Sequence, residues 1–124
     1  MGAKGDQVLG ALRAHFLGYP GAHSRSPWPE HDDLAVGDKT FAFLPREGQT
    51  FSLSVKLPYT GEVAVDLPYA APTGYGLGKS GWVTFRPAED EIPPLDQLKE
   101  WIDESYRARA PRKLVKELDS RSDA

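Results

Sequence analysis

The sequence predicts an α+β domain of two layers, an antiparallel β-sheet with N- and C-terminal helices packed on one face. The first observation is a strict alternation of apolar and polar residues over 50–57, typical of a strand with one buried and one solvated face. The second is the spacing of three and four residues between apolar side chains near both ends of the chain, typical of amphipathic helices. Segments of both kinds in one short chain predict helices packed against a sheet.

The composition is that of a single globular domain. The chain has 124 residues, and we expect one domain over 1–124 with its core between about residues 8 and 118. Fifteen Lys and Arg residues against eighteen Asp and Glu give a net charge of −3, so a strongly basic nucleic-acid-binding protein is not indicated. Cysteine is absent, which excludes disulfides and thiolate metal sites. No apolar run suggests a signal peptide or a membrane span, and we therefore expect a cytoplasmic protein.

The first third of the chain predicts a helix followed by a long connection. Apolar residues recur at helical spacing over 6–17, and Asp6 is in the position of an N-cap. Gly18 and Pro20 then favour the end of the helix. Residues 19–33 are rich in Pro and Gly, so no regular element is expected there.

The middle of the chain predicts strands. Residues 34–36 and 39–44 read as a hairpin around the Gly37-Asp38 turn, and residues 50–57 form the next strand. A short helix is expected after Thr60, although the stretch Val63–Val65 would also suit a strand. A Gly-rich loop is expected over 68–81, followed by a last strand over 82–86.

The last third predicts a helix from Pro94 that ends before Pro111, with a second short helix after it. On the first of these helices, Asp103 and Arg107 form an i,i+4 ion pair, and Ser105 is a packing position.

No arrangement of residues predicts catalysis. Gly78-Lys79-Ser80 resembles the end of a phosphate loop, but Thr73 stands where such a loop needs glycine. The histidines share no metal-ligand spacing, and a site built from His23, His31 and Asp32 is less economical than a solvated loop. We therefore expect a non-enzymatic protein with no cofactor and no metal.

Strand alternation predicts one exposed face of the sheet. If Leu53 and Val55 face the helices, Lys56 faces solvent. The same parity places Trp82 and Arg86 outside, beside Tyr75 and Lys79 in the Gly-rich loop; cations mixed with aromatic residues are typical of nucleic-acid-binding surfaces. The alternative is structural, with Trp82 covering a sheet edge or lying under the loop.

Charge is distributed unevenly near the C-terminus. Residues 89–104 carry seven acidic residues and one lysine, whereas 105–118 carry five basic residues and one glutamate. Helix-dipole complementarity explains part of this pattern. The remainder predicts a second basic patch, formed by Arg107, Arg109, Arg112, Lys113 and Lys116.

Several ordered segments resemble the MmcQ/YjbR family of small bacterial proteins. The similar segments run over about residues 8–118 and comprise Tyr19–Ala22, Val36–Ala42, Ser52–Lys56, Gly74–Val83 and Leu98–Tyr106. The resemblance implies a compact α+β fold with an antiparallel sheet. It also implies DNA binding through hairpins likened to a double wing, for which the loops at Gly37-Asp38 and Pro45–Gln49 are the candidates.

These observations together predict a DNA-binding protein that contacts mainly phosphates. The residues expected at the interface are Lys39, Lys56, Tyr75, Lys79, Trp82 and Arg86. The alternative is a module that binds a protein partner or a small ligand with the exposed sheet face and the 68–81 loop. Steep salt dependence would distinguish phosphate binding from apolar partner binding.

Overall fold

The computed structural model of the chain describes residues 3–26, 29–74 and 77–122. Within these residues the strands β1 to β6 are, in chain order, Ala22–Arg25, Asp33–Val36, Lys39–Phe43, Leu53–Lys56, Ala70–Pro72 and Trp82–Phe85. The α-helices α1 to α4 are Ala3–Phe16, Gly61–Ala64, Leu95–Arg109 and Arg112–Ser122. Short 3-10 helices lie at Leu77–Ser80 and Glu89–Glu91.

The strands form one antiparallel sheet in the order β1-β2-β3-β4-β6-β5. The N- and C-terminal helices pack against this sheet, which confirms the predicted fold class. On β4, Leu53 and Val55 are fully buried against the helices, whereas Ser54 and Lys56 are half-buried on the opposite face, here called the outer face. The predicted parity of this strand is therefore correct. In the part of the chain that is described, no helix is long and apolar enough to span a membrane.

The edge strands differ from the sequence prediction. Residues 19–33 contain β1, and the segment predicted as a Gly-rich loop over 68–81 contains β5 and the Leu77–Ser80 helix. None of the β1 side chains is buried, so no apolar alternation marks this strand. Backbone pairing with β2 and β6 holds the two edge strands, and proline is tolerated on such an edge. Both predictions of irregular structure were wrong for this reason.

The first helix begins before the predicted N-cap. Asp6 lies inside α1, and its Oδ1 accepts the backbone N–H of Gly48 at 2.9 Å. The side chain thus holds the β3–β4 loop against the helix. The N-cap interpretation was wrong because the helix extends three residues further toward the N-terminus, to Ala3.

A bulge in β3 determines how α3 docks on the sheet. Leu34 pairs with Ala42 but Ala35 pairs with Thr40, so Phe41 is an extra residue in β3. The Phe41 carbonyl accepts a hydrogen bond from the Ser105 hydroxyl at 2.5 Å. The same hydroxyl oxygen accepts the backbone N–H of Lys56 at 2.8 Å.

A second contact joins α3 to the chain that follows α1. The Tyr19 hydroxyl donates to Asp103 Oδ1 at 2.5 Å, and Asp103 Oδ2 accepts from Arg107 Nε at 2.8 Å. Burial and the Asp103 carboxylate raise the pKa of Tyr19. The Tyr106 hydroxyl donates to the carbonyl of Pro20 at 2.6 Å. Asp103 is therefore more than the surface ion-pair partner that its i,i+4 spacing predicts.

We expect Ser105→Ala to lower the free energy of unfolding by about 2 kcal/mol, because it leaves a buried carbonyl and an amide without their partner. Ser80→Ala, which truncates an exposed serine, is the matched control and should change stability by only a few tenths of a kcal/mol. Urea denaturation of both variants measures the difference. Equal midpoints would contradict the assigned role of Ser105.

Asp103→Ala should cost about 1–2 kcal/mol, since it removes the acceptor of the half-buried Tyr19 hydroxyl as well as an ion pair. Asp119→Ala is the control, because Asp119 contacts the same Arg107 at 2.8 Å but is exposed; it should cost only a few tenths of a kcal/mol. Denaturant midpoints are measured for Asp103→Ala, for Tyr19→Phe and for the variant that carries both changes, with Asp119→Ala as the control. Together they give the free energy that the contact between Tyr19 and Asp103 contributes. Additive effects of Tyr19→Phe and Asp103→Ala would exclude the proposed coupling.

Candidate nucleic-acid interface

Two of the predicted phosphate-binding lysines are brought to one end of the sheet by strand register. Lys56 is the last residue of β4 and pairs with Trp82, the first residue of β6. Ala42 of β3 pairs with Val55, so the start of β3 at Lys39 lies at this same end. Lys39 is exposed beside the Gly37-Asp38 turn, in which Gly37 has a φ of +61°.

Lys79 reaches the same end of the sheet through the Leu77–Ser80 helix. The carbonyl of Gly81 accepts the backbone N–H of Leu57 at 2.8 Å, which fixes this helix next to the end of β4. A Cβ at Gly78 would lie 2.7 Å from Pro72 Cβ and 3.1 Å from the Thr73 carbonyl oxygen. The close approach to β5 therefore requires glycine immediately before the exposed Lys79.

Arg109, at the end of α3, is the fourth cation in this region. Its Nε donates to the carbonyl of Thr40 at 3.1 Å, and its guanidinium carbon lies 5.5 Å from the centre of the Trp82 ring. This is a cation–π geometry. Arg109 and Lys39 also line one cavity of about 350 Å³ between the β2–β3 hairpin and the α3–α4 connection.

These four residues, Lys39, Lys56, Lys79 and Arg109, are here called the sheet-end cations. Within residues 3–26, 29–74 and 77–122, none of them forms a salt bridge with a carboxylate. Acidic residues also lie near them: Asp38 lines the cavity with Lys39, and Glu62 lines another cavity with Lys79. Another is Glu104, which accepts hydrogen bonds from Tyr59 and Thr60 shortly after Lys56. Cations without ion-pair partners are available to an external anion.

The five residues of the predicted second basic patch have different surroundings and do not form one surface. Arg107 is paired with both Asp103 and Asp119 at 2.8 Å, and hydrogen bonds to these carboxylates raise the pKa of Arg107. Arg109 belongs to the sheet-end cations. Arg112, Lys113 and Lys116 are exposed on α4.

The prediction that Trp82 is exposed is wrong, and Thr84 on the same face of β6 is buried as well. Both residues lie on the outer face by strand parity, but they are only 4% and 5% exposed. The ring of Phe43 lies 5.2 Å from that of Trp82, and Arg109 covers Trp82 from the end of the sheet. The Thr84 hydroxyl is hydrogen-bonded to Ser54 and Thr73. Trp82 therefore supports packing and offers no stacking surface, which agrees with the structural alternative; Tyr75 lies outside the described residues.

Arg86 is not brought together with the sheet-end cations. It follows β6 at the opposite end of that strand, and it is exposed. The two candidate wings are separated in the same way, because the Gly37-Asp38 turn precedes β3 and the Pro45–Gln49 loop follows it. Since Asp6 holds the second loop to α1 through Gly48, the two loops do not form a pair of neighbouring wings.

A buried carboxylate was missed by the sequence analysis. Asp33 is fully buried in β2; its Oδ1 accepts the Leu44 N–H at 2.8 Å and lies 3.1 Å from His31 Nδ1. Desolvation by burial raises the pKa of Asp33. His31 is thus paired with Asp33, and Asp32 forms a salt bridge with Arg13. In the described residues no group of three or more potential ligands is arranged for a metal ion.

The chain was compared with protein families, curated proteins and solved structures. The family model described as YjbR matches residues 17–108. The chain is 26% identical to a Deinococcus radiodurans protein, DR2400, whose crystal structure contains the family domain DUF419. The match has a TM-score of 0.68 and covers 93% of this chain and 90% of DR2400. No curated protein matches the chain.

The family model covers all six strands of the sheet and all but the last residue of α3, including the bulge, Ser105 and Tyr106. The similarity to DR2400 extends over nearly the whole chain. The chain therefore belongs to the YjbR family.

Proposed function

We propose that the chain is a non-enzymatic protein that binds double-stranded DNA through its phosphates, with the sheet-end cations as the contact surface. The observation that carries the proposal is their placement around one end of the sheet without a salt bridge to any described carboxylate. Phosphate contacts of this kind supply most of the affinity in sequence-independent binding.

The contacts around Trp82 favour a duplex over a single strand. Binding of single strands depends on aromatic side chains that stack on unpaired bases. Trp82 is buried between Phe43 and Arg109 and is not available for stacking. Lysine and arginine side chains bind the phosphates of a duplex without stacking on its bases, and such contacts read little sequence.

The sheet-end cations also differ in how firmly they are positioned. Arg109 is held by the Thr40 carbonyl, and the backbone of Lys56 is held by Ser105. The side chains of Lys39 and Lys79 are exposed and have several rotatable bonds. We infer that Lys56 and Arg109 set the position of the duplex, while Lys39 and Lys79 add electrostatic attraction.

A second candidate function is binding of a small ligand in a cavity of about 330 Å³ between α2 and the Leu77–Ser80 helix. Leu57, Val65 and Trp82 give this cavity an apolar lining, and Lys79 supplies a cation. Such a lining suits an apolar molecule that carries one acidic group. The exposed Tyr59 nearby, at 87% exposure, is a feature that would suit a protein partner instead.

The salt dependence of binding distinguishes these functions. For a short duplex with 5′-hydroxyl ends, we expect the logarithm of affinity to fall with the logarithm of salt concentration by about 0.9 for each neutralised phosphate. Fluorescence anisotropy with a labelled duplex measures this slope. Absence of duplex binding at low salt would overturn the DNA-binding proposal, and duplex binding that is insensitive to salt would exclude phosphates as the main contacts.

The double variant Lys56→Ala with Lys79→Ala should weaken binding equally across duplex sequences and reduce the salt slope by up to about two units, or about one per lost contact. Lys4→Ala with Arg46→Ala removes the same charge from exposed residues remote from the sheet-end cations and should leave the slope unchanged. Equal weakening by both double variants would contradict a localised surface. Weakening only when Arg112, Lys113 and Lys116 are neutralised would move the interface to α4.

A further inference from the structure

A polar groove of about 270 Å³ lies on the outer face at the end of β6 remote from the sheet-end cations. Its walls come from the segment before β2, from β3 and β4, and from Arg86. The side chains that line it include Glu30, His31, Phe43, Ser52, Ser54 and Arg86. Leu53 pairs with Phe85, which places Ser52 beside Arg86 across neighbouring strands.

Arg86 supplies a guanidinium group to this groove. Its backbone N–H is hydrogen-bonded to the Tyr69 carbonyl at 2.8 Å, so the main chain is fixed while the side chain is exposed. Among the described residues no carboxylate forms a salt bridge with Arg86, and Glu30 is the acid that lines the same groove. A guanidinium group presents five N–H donors in a planar fork suited to oxyanions.

The buried Asp33 carboxylate holds the imidazole of His31, which also lines the groove. One of its carboxylate oxygens meets both the Leu44 N–H and His31 Nδ1, and the other has no hydrogen-bond partner in the described part of the chain. Burying a carboxylate is unfavourable unless its charge is compensated. An imidazole held by a buried carboxylate is fixed in orientation. His31 is in this way held at the groove that Arg86 also lines.

A row of hydrogen-bonded hydroxyl groups ends at Ser54, which lines the groove. The Thr84 hydroxyl lies 2.7 Å from the Ser54 hydroxyl and 2.9 Å from the Thr73 hydroxyl. If Thr73 donates to Thr84 and Thr84 donates to Ser54, the Ser54 proton is left to donate into the groove. Hydrogen bonds in such a row strengthen one another.

We propose that this groove is a binding site for a phosphate monoester group, held by the guanidinium of Arg86, the imidazole of His31 and the hydroxyls of Ser52 and Ser54. These donors come from three separate segments of the chain and line one groove, which suits the several acceptor oxygens of a tetrahedral phosphate. The volume of about 270 Å³ accommodates the phosphate group, and most of any larger molecule that carries it lies outside the groove. This site is separate from the sheet-end cations and does not depend on the proposed DNA binding.

The test is a titration of the isotope-labelled protein with inorganic phosphate, followed by amide chemical shifts, with chloride at equal ionic strength as the reference. We expect shifts at Ser52, Ser54 and Arg86, and an affinity that falls about tenfold or more in Arg86→Gln, because a charge-assisted contact is lost. Arg46→Gln is the matched control, since Arg46 is exposed nearby but does not line the groove. His31→Gln should weaken binding; because it also removes a partner of the buried Asp33 carboxylate, its denaturation midpoint is measured alongside to separate loss of binding from loss of stability.

Two outcomes of this titration would overturn the proposal. One is an absence of phosphate-specific shifts in the groove up to the highest soluble phosphate concentration. The other is equal weakening by Arg86→Gln and Arg46→Gln, which would mean that the phosphate responds only to overall charge.

The source of the phosphate is tested with oligonucleotides. If it is the end of a nucleic-acid strand, a 5′-phosphorylated duplex binds more tightly than its 5′-hydroxyl form, and Arg86→Gln removes that difference. If it is a small molecule, inorganic phosphate binds while the two duplexes bind equally. Either result supports the site. Loss of duplex binding in Lys56→Ala with Lys79→Ala concerns only the sheet-end cations, so failure of one proposal is distinguishable from failure of the other.

Discussion

The extra residue in β3 controls both the packing of α3 and the position of the cations at the end of the sheet. A bulge leaves one residue outside the ladder, and here the carbonyl of Phe41 is satisfied by Ser105. Ser105 also accepts the N–H of Lys56, so one hydroxyl joins α3 to two strands. Four residues later along α3, Arg109 bonds the carbonyl of Thr40. The positions of Lys56 and Arg109 are therefore consequences of the same irregularity that fixes the helix.

The bulge also explains how β3 presents aromatic residues to both faces. In a regular strand, Phe41 and Phe43 would share one face. The shift places Phe41 and Ala42 in the core, where the Phe41 ring meets those of Phe16 and Tyr106, and leaves Phe43 on the outer face beside Trp82. Burial of Trp82 in β6 thus depends on a change of register in β3, which lies on the other side of β4. Alternation along the sequence of β6 contains no information on that change.

The elements that could be predicted are those with one buried face, in which the buried residues recur at a regular spacing. Leu53 and Val55 on β4 and the apolar stripe of α3 show the expected periodicities, and the class and the main helices were correct. Strands β1 and β5 were not predictable, because edge strands are held by backbone hydrogen bonds that any residue except proline can donate. How the candidate cations are grouped depends on strand order. Register placed Lys39 and Lys56 at one end and Arg86 at the other, and no pattern within a single strand specifies this.

Acidic residues lie at the start of α3 and a basic residue lies at its end. This separation affects how a chain of net charge −3 would attract a polyanion. The acidic segment Glu89–Glu91 precedes the first turn of α3, whereas Arg109 ends it. Fifteen residues of helix separate these two regions by about 22 Å. The Debye length is about 10 Å at 0.1 M salt, so the acids at the start of the helix are largely screened from an anion at its end. The local arrangement of Lys39, Lys56, Lys79 and Arg109, and not the net charge, then governs the attraction. Lower salt lengthens the range over which every charge acts, so the attraction by the nearby cations and the repulsion by the remote acids increase together. The strength of binding therefore does not follow from the net charge at any single salt concentration.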